Sequence, residues 1–145
     1  MTTSGNNYAG SCHCGAVAFT YRTDQAPSAW SIRACQCSFC RAHAALSTSD
    51  PAGQVEFWQM VDGAMQHYRF GQQITDFLLC RECGVYVGAM MQTAMGHFGI
   101  INVNALRPVP TDLAAAVPMN YGSESGEQRV ARRAQRWTPV VAGAI

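Results

Sequence analysis

Charge is scarce in this chain: 13% of its 145 residues are charged, ten basic against nine acidic, for a formal net charge of +1. Nucleic acid and anionic membranes reward a strong basic excess, so neither is expected as a partner. Long hydrophobic runs are missing as well. No window approaches the roughly 18 apolar residues of a membrane span, and the opening MTTSGNNYAGS carries neither the basic nor the apolar segment of a secretory signal. The expectation is a cytosolic protein. Nothing between turn signals is long enough for a parallel β-α-β crossover. What the chain does have is 48% hydrophobic residues, enough for one domain with a real core, and seven cysteines.

Those cysteines stand at 12, 14, 35, 37, 40, 80 and 83, in three tight groups. An odd number cannot pair off internally, and in a reducing compartment closely spaced thiols point to metal binding or catalysis rather than to a disulfide framework.

Period-two alternation dominates the rest. Gly15 to Tyr21 (GAVAFTY) puts Val17, Phe19 and Tyr21 on one face of a strand, and Trp30, Ile32 and Ala34 alternate toward Cys35. SFCRAHAAL reads as a short helical turn. QVEFWQMV, MQHYRF and ITDFLL, divided by Asp62-Gly63 and Gly71, predict an antiparallel meander, with VYVGAMM and HFGIINV as two further strands. Residues 107–126 are rich in Pro and Gly and predict a surface strap. Ser125 with Gln128 forms a capping-box pattern ahead of GEQRVARRAQRW, a terminal helix whose arginines read as a solvated face or a dimer contact. The expected organisation is a flexible leader over 1–9, a zinc-binding β domain over 10–119 and a C-terminal extension over 120–145.

Zinc prefers tetrahedral thiolate or imidazole ligands, and structural sites are commonly two short-spaced pairs joined by the fold. Cys12-His13-Cys14-Gly15 and Cys80-Arg81-Glu82-Cys83-Gly84 are such pairs, each with a glycine to permit the turn. Together they make one four-cysteine structural site. Cys35, Cys37 and Cys40 then supply three thiolates and leave a fourth position open, as in catalytic zinc centres. Two alternatives stay open at this point: His43 could close the second site, or the three thiols could form a metal-free redox centre. His13, between two ligands, is expected to point away from that metal, His67 and His97 read as structural histidines, Tyr86 and Phe39 as packing or pocket lining, and Glu56, Asp76 and Glu82 have no partner that marks a general base.

In the order GSCHCGAV, CQCSFCR, CRECG and GIINVNAL, residues 10–106 resemble the glutathione-dependent formaldehyde-activating enzyme family, which includes the centromere protein V group. The resemblance implies a zinc-stabilised, tent-like arrangement of antiparallel β-sheets. It implies two zinc ions per chain, a structural one on Cys12, Cys14, Cys80 and Cys83 and a labile, catalytic one on Cys35, Cys37 and Cys40. The implied reaction is addition of glutathione or another small thiol to formaldehyde or a related electrophile, formally a carbon–sulfur lyase in reverse. Beside the implied site the chain departs from the commoner pattern, with Val85-Tyr86-Val87 after the last knuckle and CRAHAALST after the third thiolate. A non-catalytic zinc scaffold is the reading from another class. It expects a second site fully ligated by protein.

Overall fold

The computed structural model describes residues 5–141. Among these residues are eleven strands: β1 (Asn6–Ser11), β2 (Val17–Thr23), β3 (Arg33–Cys35), β4 (Ser47–Thr48), β5 (Gln54–Gln59), β6 (Met65–Tyr68), β7 (Thr75–Cys80), β8 (Tyr86–Thr93), β9 (Gly96–Asn102), β10 (Val117–Met119) and β11 (Thr138–Pro139). Two helices, α1 (Ser38–Ala42) and α2 (Gly126–Arg136), complete the architecture with two short 3-10 turns. The protein is mainly β, as the alternation predicts.

The strands form two sheets, one ordered β1-β2-β5 and a larger one ordered β10-β3-β4-β9-β8-β7-β6, with β11 beside β9. The meander begins one strand later than the turn signals suggest. Asp62-Gly63 is a turn, yet β5 runs back onto β2, pairing Phe57 with Phe19 and Val55 with Tyr21. All four of these side chains are buried. Cross-strand aromatic and branched pairs of this kind stabilise a ladder, and β5 finds them on β2 rather than on β6. The meander is therefore β6-β7-β8-β9. The large sheet is also mixed rather than wholly antiparallel, because β10 lies parallel to β3. No crossover helix delivers β10: the exposed segment 107–116 does so, as the expected strap.

Residues 6–9, expected within the flexible leader, instead belong to the edge strand β1, whose six residues all pair with β2. Residues 1–4, the rest of that leader, and 142–145 lie outside the described residues. At the other end, Trp137 and Thr138 are buried, and Thr138 Oγ1 accepts the Asp50 N–H at 2.8 Å. The expected C-terminal extension thus returns to the body of the domain.

Three layers result, the small sheet, the large sheet, and the two helices. Val17, Phe19, Phe57, Leu78, Val87 and Ile101 fill the space between the sheets. On the opposite face of the large sheet Phe77, Ala89, Met91 and Ile100 pack with Cys40 of α1 and Trp137 after α2. Phe57 ties the sheets together. It is 0% exposed, and it sits so closely over β8 that a Cβ on Gly88 would meet its ring at 2.9 Å. Phe57→Ala leaves a cavity that two hydrogen-bonded sheets cannot collapse into, so a loss of about 3–5 kcal/mol is expected. The check is the urea midpoint of unfolding, with the m-value unchanged.

Candidate metal centres and pocket

All seven cysteines are free thiols. The turn after β1 carries Cys12 and Cys14; Cys80 ends β7 and Cys83 lies in the turn to β8. The two turns are built alike. Cys12 N–H donates to Val17 O at 2.9 Å and Gly15 N–H to Cys12 O at 3.3 Å; Cys80 N–H donates to Val85 O at 3.0 Å and Gly84 N–H to Cys80 O at 2.8 Å. Gly15 (φ 85°) and Gly84 (φ 81°) occupy the left-handed region that closes each turn. The four Sγ atoms lie within 4.8 Å of one another, with Cys12–Cys14 at 3.7 Å and Cys14–Cys80 at 3.6 Å. Those separations are far beyond a disulfide bond. They match the edge of a tetrahedron whose corners sit about 2.3 Å from a central zinc.

Backbone N–H groups already point at the sulfurs. Val17 donates to Cys12 Sγ at 3.3 Å, and Glu82 and Cys83 donate to Cys80 Sγ at 3.3 and 3.4 Å. Such donors orient the sulfurs and give them outer-shell support. The donor set therefore fits a metal ion such as zinc, which Cys12, Cys14, Cys80 and Cys83 would hold and which would fasten the small sheet to the large one.

Cys35 ends β3, Cys37 is the N-cap of α1 and Cys40 lies within that helix. Their Sγ atoms also lie within 4.8 Å of one another, and Cys40 N–H donates to Cys37 Sγ at 3.4 Å. Hydrogen bonds from Cys35 and then Cys40, helped by backbone donors at Cys40 and Phe39, hold the Cys37 thiol far below its ordinary pKa. Cys40 is pushed up by its bonds to Cys35 and Cys37. Three sulfurs this close, with Cys37 favoured as thiolate, form a donor set that suits a divalent cation. His43 is not a fourth member among the described residues. Its ring packs on Phe39 at 4.5 Å and faces Tyr86 at 5.7 Å, so it does not close the site.

The cluster opens into a cavity of about 170 Å³ lined by Cys35, Cys37 and Cys40. Phe70, Ile74, Phe77, Ile100 and Trp137 supply its apolar wall, and Arg33, Arg129, Arg132 and Arg133 its polar one. Phe39 packs into an aromatic group with Phe70, Phe77 and Tyr86 beneath α1. Burial, then the charges of Cys40, Cys35 and Cys37, raises Tyr86 well above its ordinary pKa. Its buried hydroxyl has no hydrogen-bond partner among the described residues.

Glu56, Asp76 and Glu82 do not line the cavity. Asp76 is instead paired with Arg69 at 2.5 Å and with His67 at 3.3 Å. The arginine wall is what sequence reasoning missed. The capping box at Ser125 and Gln128 forms as expected, but the helix it starts turns Arg129, Arg132 and Arg133 onto the cavity. Their i, i+3, i+4 spacing was the available signal, since it puts all three on one face.

A small, mainly β protein that gathers one four-thiol and one three-thiol cluster, the second in a cavity, belongs to the class of β proteins built around cysteine clusters able to hold metal ions. The sequence model of the glutathione-dependent formaldehyde-activating enzymes matches residues 7–122, and the chain belongs to that family. The fold is also that of a crystal structure of a Rhodobacter sphaeroides protein, with a TM-score of 0.60, 26% sequence identity, and coverage of 77% of this chain and 99% of that one. No curated protein matches the chain.

Proposed function

We propose that the protein is a zinc-dependent, carbon–sulfur lyase-like enzyme that adds a small thiol, glutathione in the first instance, to an aldehyde such as formaldehyde. One observation carries this reading: the three-thiol cluster faces a cavity and has no fourth protein donor among the described residues, whereas the four-thiol cluster is complete. Cys35, Cys37 and Cys40 would hold a zinc ion, whose chemistry is to favour the thiolate form of an incoming thiol at neutral pH. In the overall reaction the S–H bond breaks, a carbon–sulfur bond forms at the carbonyl carbon, and the carbonyl oxygen ends as a hydroxyl. The reverse reaction releases both partners. Phe70, Phe77, Ile100 and Trp137 exclude water from the reacting end, and confinement of both partners in one small cavity lowers the entropic cost of their encounter.

Exchange spectroscopy on mixtures of glutathione with a panel of aldehydes tests the proposal. Catalytic amounts of the protein are expected to accelerate adduct formation and breakdown alike. Rates equal to those in buffer across the panel would discard it.

The two clusters should also part company under a chelator. Four ligands with backbone support hold an ion more tightly than three in an open cavity. A mild chelator is expected to lower the metal content from two to one per chain while the circular dichroism spectrum is retained. Simultaneous loss of both ions would contradict the division of roles.

A further inference from the structure

All ten basic residues of the chain are arginines, and four of them line the three-cysteine cavity, where no aspartate or glutamate does. Two of the four are already engaged. Glu124 accepts from Arg132 at 2.7 and 2.9 Å and from Arg129 at 3.5 Å, and the Arg132 guanidinium lies 3.6 Å over the Tyr121 ring. These contacts lock α2 against the 120–125 turn. Arg33 and Arg133 are different. Arg33 donates to Ser49 Oγ at 2.7 Å, while Arg133 donates to Thr75 Oγ1 and stacks 4.6 Å from the Trp137 ring centre. Neither has a carboxylate within 4.0 Å among the described residues, and the buried Nε of Arg133 has no partner.

A mostly buried guanidinium without an anion is costly, because its lost hydration is repaid only by neutral groups. The three-cysteine cluster does not account for all of this charge. Three thiolates around a divalent ion retain one negative charge, whereas the four arginines less Glu124 retain three positive ones. Two positive charges remain for something else. Guanidinium groups match carboxylates in shape and bind them through paired hydrogen bonds. We propose that Arg33 and Arg133 form a carboxylate subsite in the three-cysteine cavity, so that α2, which lies beyond the family match at residue 122, completes the site and selects carboxylate-bearing reactants.

The volume narrows the class. About 170 Å³ falls below the pockets of drug-sized ligands, about 300–1,000 Å³. The cavity therefore encloses a reacting end with one carboxylate a few bonds away, not a whole tripeptide. The identity of the product rests on the thiol-addition reading; binding of the carboxylate does not.

Isothermal titration of the metal-loaded protein with two matched pairs tests the subsite: 3-mercaptopropionate against 3-mercaptopropionamide, and glyoxylate against glyoxylamide. At least one acid is expected to bind 10-fold or more tightly than its amide, and the pair that shows this identifies whether thiol or aldehyde carries the carboxylate. Arg133→Gln should bring acid and amide within twofold of each other, with Arg133→Lys retaining part of the preference. Equal binding of acid and amide in both pairs overturns the proposal, and this comparison needs no variant to fold. So does an Arg133→Gln protein of unchanged metal content that keeps the full preference. Because these are affinities, a preference for acids with no accelerated adduct formation would sink the lyase reading alone, and accelerated chemistry with no such preference would sink the subsite alone.

Discussion

Cys80→Ser is expected to deprive the protein of a cooperative fold at 37 °C. Cys80 is 1% exposed at the end of β7, accepts N–H groups from Glu82 and Cys83, and lies 3.6 Å from Cys14 across the two sheets. Structural zinc contributes about 10–16 kcal/mol in small zinc-dependent domains, against a total stability of about 5–15 kcal/mol for an ordinary domain. Losing one of four ligands therefore removes an amount comparable to the whole. The serine also leaves a buried hydroxyl beneath backbone donors arranged for sulfur, so packing and metal losses are mixed in this variant. Cys14→Ser separates them, because Cys14 is exposed and contributes almost no buried area. If the metal is the cause, both variants should lose the thermal transition or shift it down by more than about 15 °C, with one metal ion fewer per chain. A Cys14→Ser protein melting within about 3 °C of the parent would show that the knuckles hold without metal.

Residues that act locally were legible in the sequence. Strict alternation at Val17, Phe19 and Tyr21 gave the buried face of β2, because a half-buried strand admits no other pattern. The thiol groups could be sorted into four and three because ligand spacing and the glycines at 15 and 84 are local turn properties. Partner choice was not local. Nothing in Gln54–Gln59 says whether β5 pairs forward across Asp62-Gly63 or back onto β2; that is decided by Phe19 and Tyr21, more than thirty residues earlier. The same holds for β10 beside β3 and for α2. Its amphipathic arginine face was visible, but the target of that face is set by tertiary contacts, Arg133 donating to Thr75 of β7 and the Arg136 carbonyl accepting from Ser49. A neutral total charge hid it further: Arg69 with Asp76 and Arg132 with Glu124 cancel in the sum, while Arg33 and Arg133, around one cavity, have no carboxylate partner among the described residues. Net charge is a property of the chain, and a binding site is built from charge left over in one place.

Cys37→Ala should have the opposite profile to Cys80→Ser, costing activity and leaving the fold. The three-cysteine cluster ties together only β3 and α1, neighbours in the chain, so no pair of sheets depends on it. β3 keeps its ladder to β10 and its pairing of Arg33 with Ser47. The structural loss is the N-cap acceptor that Cys37 Sγ offers to Cys40 N–H, worth about 1 kcal/mol, or a few degrees in Tm for a domain of this size. The chemical loss is larger. Two thiols in an open cavity no longer hold a metal ion against solvent, so the content should fall to one per chain and thiol–aldehyde adduct formation should drop at least 100-fold, equivalent to about 2.7 kcal/mol of transition-state stabilisation. Metal analysis, a melting curve and adduct kinetics on one preparation decide the matter. A folded variant with one metal ion and parental rates would remove Cys37 from the catalytic centre. A variant that loses both ions and unfolds would show that the two clusters are not energetically independent, which the separation of their ligands between different elements argues against.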